Sequence, residues 1–169
     1  MMLAVIRKLA APFHPLFAWI CVLLASRLKP HASALKHFGI RVVAAKDYGS
    51  QDNQDDVYTA LVLLKQFDED EFNLIKKNIR TIFLHDMLIF GGGYQSTGQI
   101  CFLDIRNLSG CTSGTMPIAI AGNLVYFASL VEFKNHFGVG FGEMKKINAE
   151  EKQQQVVEKL VKLFVNERF

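Results

Sequence analysis

The sequence predicts an α+β fold: a small sheet of about three strands packed against two long C-terminal helices and preceded by an apolar N-terminal helix. Three observations lead there. Residues 116–137, MPIAIAGNLVYFASLVEFKNHF, form a long apolar run with polar interruptions at helical spacing. The last stretch carries Val156, Leu160 and Leu163 on one helical stripe, with Val157, Val161 and Phe164 beside it. Short runs rich in strand formers, at 39–45, 80–85 and 99–105, alternate with helical patterns.

The 169 residues are half apolar with four prolines, enough for one domain with a substantial core and inconsistent with a disordered chain. The division is residues 1–28 as an apolar helix and membrane-anchor candidate, 29–37 as a basic linker, and 38–169 as a single α+β domain. The net charge of +3 is unevenly spread. Residues 1–37 hold five basic side chains and no acidic one, and the other 132 hold fourteen basic and sixteen acidic. The globular part therefore gives no electrostatic reason to bind nucleic acid. Cys21, Cys101 and Cys111 are too few and too irregular for a disulfide framework or a zinc knuckle. Cys101 and Cys111 would meet if a strand and its following loop fold back, and a reduced interior fits equally well.

Residues 9–26, LAAPFHPLFAWICVLLAS, contain no Asp, Glu, Lys or Arg. As a helix they would be about 27 Å long, near the lower limit for crossing a bilayer. Arg7 and Lys8 flank one end, and Arg27, Lys29 and Lys36 the other. A membrane anchor, spanning or lying on the surface, fits this pattern, as do a cleaved signal peptide and a helix buried in the domain. The first makes the membrane a partner and the location membrane-associated; the last leaves a soluble cytoplasmic protein. Charge on both sides leaves the topology open.

The run 39–45 is the first strand. Val57, Leu61, Leu64 and Phe67 recur at helical spacing, which predicts a helix over 55–67. Asp68 and Glu71 form a capping-box pattern for a second helix that buries Phe72, Ile75 and Ile79. Residues 80–85 are the second strand and 99–105 the third, with Ile100, Phe102 and Asp104 on one face and Cys101, Leu103 and Ile105 on the other. Gly91, Gly92, Gly93 and Tyr94 read as a hairpin tip or mobile loop; the run lacks both the lysine of a phosphate loop and the context of a dinucleotide site. Thr115 is a reasonable N-cap for the long helix, and Pro117 fits its first turn. Gly138, Gly140 and Gly142 end it. Asn148 and Glu151 are a capping-box pattern that opens the final helix.

Candidate chemistry is sparse. Glu132 and His136 are four apart on one helix and could pair or hold the edge of a metal site. At about 100° per residue, Glu132 lies roughly 160° from Leu130 and 120° from Tyr126, away from that apolar face. A surface ion pair with His136 or a nearby lysine is its expected role. His85, at a strand end, reads as a hydrogen-bonded histidine. Cys111, ahead of a helix N-terminus, is the best-placed nucleophile, but no partner histidine follows from spacing.

A strand pair whose second member carries a cysteine, a Ser/Thr-Gly loop, a long helix, a glycine turn and a last helix with an early glutamate resemble the minimal zinc-metallopeptidase (gluzincin-like) core, over about residues 81–164. In that family the long helix carries H-E-x-x-H and a glutamate on the next helix is the third zinc ligand. The resemblance places the motif on Tyr126, Phe127, Ala128, Ser129 and Leu130, and the third ligand near Glu150. Tyr126 and Leu130 stand where histidines grip zinc, and Phe127 where glutamate takes a proton from zinc-bound water. The resemblance thus implies an inactive member: no catalytic residue, no metal ligand set and no cofactor. It leaves a vestigial groove of Asn123, Tyr126, Phe127, Leu130 and Glu150, with a binding or scaffolding role toward a protein partner. The competing expectation is a divergent hydrolase, with Glu132, His136, Glu150 or Cys111, or two of them with His85, converging in a groove.

Overall fold

In the computed structural model the described residues are 35–44, 51–85, 93–95, 99–104, 108, 115–137 and 142–166. The apolar segment 9–26, with most of the basic linker, lies outside them, as does Cys111.

The elements run β1 (Leu35–His37), β2 (Ile40–Ala44), α1 (Gln51–Phe67), α2 (Glu69–Asn78), β3 (Thr81–His85), β4 (Gly93–Gln95), β5 (Ile100–Asp104), α3 (Met116–Phe137) and α4 (Gly142–Asn166). The sheet is mixed, in the order β1-β2-β3-β5-β4. Its three central strands, β2, β3 and β5, are parallel, and β1 and β4 are antiparallel edges. The three expected strands are this parallel centre. The sheet has two more, because edge strands of three residues carry no readable alternation. β1 takes the end of the stretch expected to be linker, and Gly93 and Tyr94, expected in a hairpin tip or loop, lie in β4.

Parallel neighbours need a long crossover, and α1 and α2 supply the one between β2 and β3. Ile82 to His85 and all of β5 are buried, so these strands read as continuous apolar runs. Val42, Ile82, Leu84, Cys101 and Leu103 join one core with Leu61, Ile75 and Leu124 of the helices. Burial of Phe72, Ile75 and Ile79 agrees with the helical pattern. α1 begins at Gln51, four residues before the expected start.

α3 spans Met116–Phe137, the run that the spacing predicts. It packs against α1, α2, β5 and α4. Contact on several sides explains why it is apolar nearly all round rather than on one stripe. For the same reason Met116–Lys134 is long and apolar enough to cross a membrane, the only such helix among the described residues, although more than half of it is buried inside the fold.

α4 starts at Gly142, so Asn148 is inside the helix and not its cap. The extra turns are largely exposed, with Met144 and Ile147 facing solvent, and burial begins at Ala149. Val156 and Leu160 form the buried stripe; Val161 is exposed. The Asp68–Glu71 capping box is also absent. Asp68 is the N-cap by position but makes no side-chain capping bond. Lys159 Nζ donates to Asp68 Oδ2 and Lys152 Nζ to Glu71 Oε1, both at 2.8 Å. The two carboxylates bind α4 to α2 instead of closing a helix end.

Candidate functional site

Of the groove residues expected on α3 and α4, Glu150 of α4 approaches Tyr126 of α3 where the two helices pack. Gly122 permits it: a Cβ there would lie 2.7 Å from Val157 Cγ2, so the bare backbone lets α4 lie close. One turn along α3, the Glu150 carboxylate is near enough to Tyr126 to act on its phenol. Burial, and then that carboxylate, push the phenol pKa up. Near the end where the two helices connect, burial and then Lys134 push the Lys145 ammonium down. All three relationships belong to one antiparallel register of α3 and α4.

Tyr126 and Leu130 are half-buried against the core, and Phe127 is buried, its ring edge-on to Tyr126 at 5.3 Å. Asn123 donates from Nδ2 to the Ala119 carbonyl at 2.8 Å, so its amide is turned back onto its own helix. Glu150 is exposed. The result is half-buried aromatic and aliphatic packing on α3 with the exposed Glu150 carboxylate beside it.

The other candidates are dispersed. Glu132 accepts from Lys77 Nζ at 2.9 Å and from Asn78 Nδ2 at 3.3 Å, which is the expected ion pair with a lysine. His85 is fully buried on the face of β3 opposite Ile82 and Leu84, away from the helical core. The side chain of His136, like Cys111, is outside the description. Cys101 is free and buried in the core, which pushes its thiol pKa far up. Among the described residues no group of three or more His, Cys, Asp or Glu is placed to hold a metal ion.

Sequence reasoning missed Asn78 and Ser129. Asn78, 3 % exposed, also donates to the Ala128 carbonyl at 3.4 Å and so ties the end of α2 to the middle of α3. Its partners are 50 residues or more away, beyond any local pattern. Ser129 is buried with no hydrogen-bond partner for Oγ among the described residues.

No protein-family model, curated protein or solved structure matches the chain.

Proposed function

We propose that this chain is a non-catalytic α+β domain on the plan of a minimal zinc metallopeptidase, with a binding or scaffolding role in place of hydrolysis. The observation that carries the proposal is that Glu150, on α4, is close enough to Tyr126, on α3, for its charge to add to burial in raising the phenol pKa. These are the positions at which the resemblance sets the first and third zinc ligands. The residues present do not fit zinc. Structural and catalytic zinc sites use thiolate, imidazole and carboxylate. Here a phenol, a phenyl ring and an isobutyl group occupy the motif, leaving Glu150 as a lone carboxylate. A phenol whose pKa is raised stays protonated at neutral pH and coordinates poorly.

What these residues suit is apolar contact. Half-buried Tyr126 and Leu130 offer a ring and a branched chain, the buried Phe127 ring packs edge-on to Tyr126, and Glu150 offers one acceptor or negative charge at the edge. That is the chemistry of a small docking surface or of simple core packing, and neither requires turnover. The divergent-hydrolase alternative has less support, since Glu132 is committed to Lys77 and Asn78, and His85 is on the sheet face opposite the helical core.

Metal analysis of the purified, dialysed chain tests the proposal. The expected result is no stoichiometric zinc; zinc retained at one equivalent overturns it.

A further inference from the structure

Phe38 and Gln99, the non-glycine residues with positive φ among the described ones, lie at the same end of the sheet. Phe38 comes just before β2 and Gln99 just before β5, and β3 runs between those strands. Each is held at φ of +51°, a conformation that its surroundings must enforce and that recurs at ligand clamps. Arg80 leads from α2 into β3 at this end. Its backbone N–H donates to the Gln99 carbonyl and its carbonyl accepts from the Arg41 N–H, both at 2.9 Å. The main chain of Arg80 is thus pinned on both sides, while its side chain is exposed.

An open groove of about 290 Å³ lies here, lined by Phe38, Gly39, Ile40, Lys76, Ile79 and Arg80. Its volume is near the lower end of small-molecule sites. Ile40 and Ile79 are almost wholly buried, which leaves the part-buried Phe38 as its apolar wall. Two of the lining side chains are cations and none is a carboxylate. Lys65 Nζ, 5.0 Å from the Phe38 ring, adds positive charge beside them. Lys76 Nζ rests 5.6 Å from the Phe72 ring, an exposed contact weak enough to yield to an anion. The C-terminal end of α2 carries partial negative charge, so the groove attracts anions only through these side chains.

We propose that this groove binds a phosphate monoester, its phosphate between Lys76 and Arg80 and its organic body against Phe38. A guanidinium on a fixed main chain presents paired N–H donors to phosphate oxygens, and a lysine adds a point charge. Two cations match the dianion of a monoester. The same chemistry belongs to a soluble phosphate ester and to the headgroup of phosphatidic acid. No lining residue comes from α3 or α4, and the proposal does not depend on the metallopeptidase plan.

Calorimetric titration of phenyl phosphate into the full chain tests it. Saturable binding at one equivalent is expected, with none for phenol, which lacks the phosphate. Inorganic phosphate should compete only at higher concentration, since it has nothing to place against Phe38. Lys76→Gln and Arg80→Gln should each weaken binding roughly tenfold or more. Lys77→Gln is the control: that lysine is taken by Glu132, and binding should be unchanged. Circular dichroism checks each fold, and if Arg80→Gln does not fold, Lys76→Gln decides. Phosphatidic acid vesicles, against phosphatidylcholine ones, test the lipid source. Binding of phenyl phosphate identifies a soluble ester, and Lys76-dependent binding to phosphatidic acid alone identifies the headgroup. Saturable binding of neither overturns the proposal. So does binding that survives Lys76→Gln, or that falls as far with Lys77→Gln, since diffuse surface charge would then account for it.

Discussion

Val157 occupies the space that a side chain on Gly122 would need, with Cγ2 2.7 Å from the ideal Cβ position. Alanine at 122 would gain about 1 kcal/mol of helix propensity over glycine. Overpacking costs roughly 1–3 kcal/mol, and the β-branched Val157 cannot swing aside as a long chain would. Gly122→Ala should therefore lower the urea midpoint, and adding Val157→Ala should recover much of the loss. A higher midpoint for Gly122→Ala alone would show that the helices separate at no cost.

The α2–α3 junction separates a buried hydrogen bond from an exposed ion pair. Asn78 is buried and reaches both Ala128 and Glu132, whereas the Lys77 side chain is 62 % exposed. Asn78→Ala leaves the buried Ala128 carbonyl and the part-buried Glu132 carboxylate short of a donor, costing about 1–3 kcal/mol. Lys77→Ala removes a solvent-screened pair worth roughly 0–1 kcal/mol. Denaturant unfolding of both variants should rank Asn78→Ala as clearly the more damaging, and the reverse order would place the stabilisation in the charge pair.

The raised Tyr126 phenol sets a pH dependence at the alkaline end. Below about pH 10 the phenol is protonated in the folded and unfolded chain alike, and its contribution is constant. Above that, the unfolded chain releases its proton first, so stability falls as pH rises until the folded pKa is passed. Burial, the larger cause, persists in Glu150→Gln, but the repelling charge does not. That variant should titrate Tyr126 at lower pH by phenolate absorbance, with Tyr126→Phe as the blank, and should lose less stability in alkali. An unchanged titration would mean that Glu150 does not act on Tyr126.

Cys101 is fully buried on the core side of β5, and burial raises its thiol pKa, so the reactive thiolate is scarce. Iodoacetamide should label Cys101 only at the rate of unfolding, as followed by peptide mass spectrometry. Fast labelling in native buffer would contradict the packing of β5 against α3.

Where local pattern and packing agree, the elements were legible in sequence. α3 is the clearest, since its length and apolar character follow from burial against α1, α2, β5 and α4. Elsewhere long-range contacts overrode local signals. The β1–β2 turn is Phe38–Gly39, with φ of +51° and +89°, where Asn-Gly would be the usual signal. A phenylalanine is held there by its neighbours: Tyr58 stacks on the ring at 6.0 Å, Phe72 meets it edge-on at 5.4 Å, and Lys65 Nζ lies 5.0 Å above it. Asp68 and Glu71 have the spacing of a capping box, but two lysines more than 80 residues away take their carboxylates. In the site, no local pattern links Tyr126 with Glu150; only the family resemblance names them together. The role of Asn78 had no local signal.

The metallopeptidase plan can be tested by restoring what it lacks. If Tyr126 and Leu130 occupy former ligand positions, they share one face of α3, four residues apart, with Glu150 across from the first. Tyr126→His with Leu130→His should then complete a two-histidine, one-glutamate set with an open fourth position. Phe127→Glu, the would-be base, is added last because Phe127 is buried and a buried carboxylate is costly. Zinc bound by the folded state alone stabilises it by about 2.7 kcal/mol at a hundred times Kd. The double-histidine variant should therefore melt higher with zinc and lose the gain with a chelator, while Glu150→Gln in the same background should weaken the effect. If zinc leaves its melting unchanged while circular dichroism shows an intact fold, positions 126, 130 and 150 do not form the ligand geometry, and their proposed ancestry falls with it.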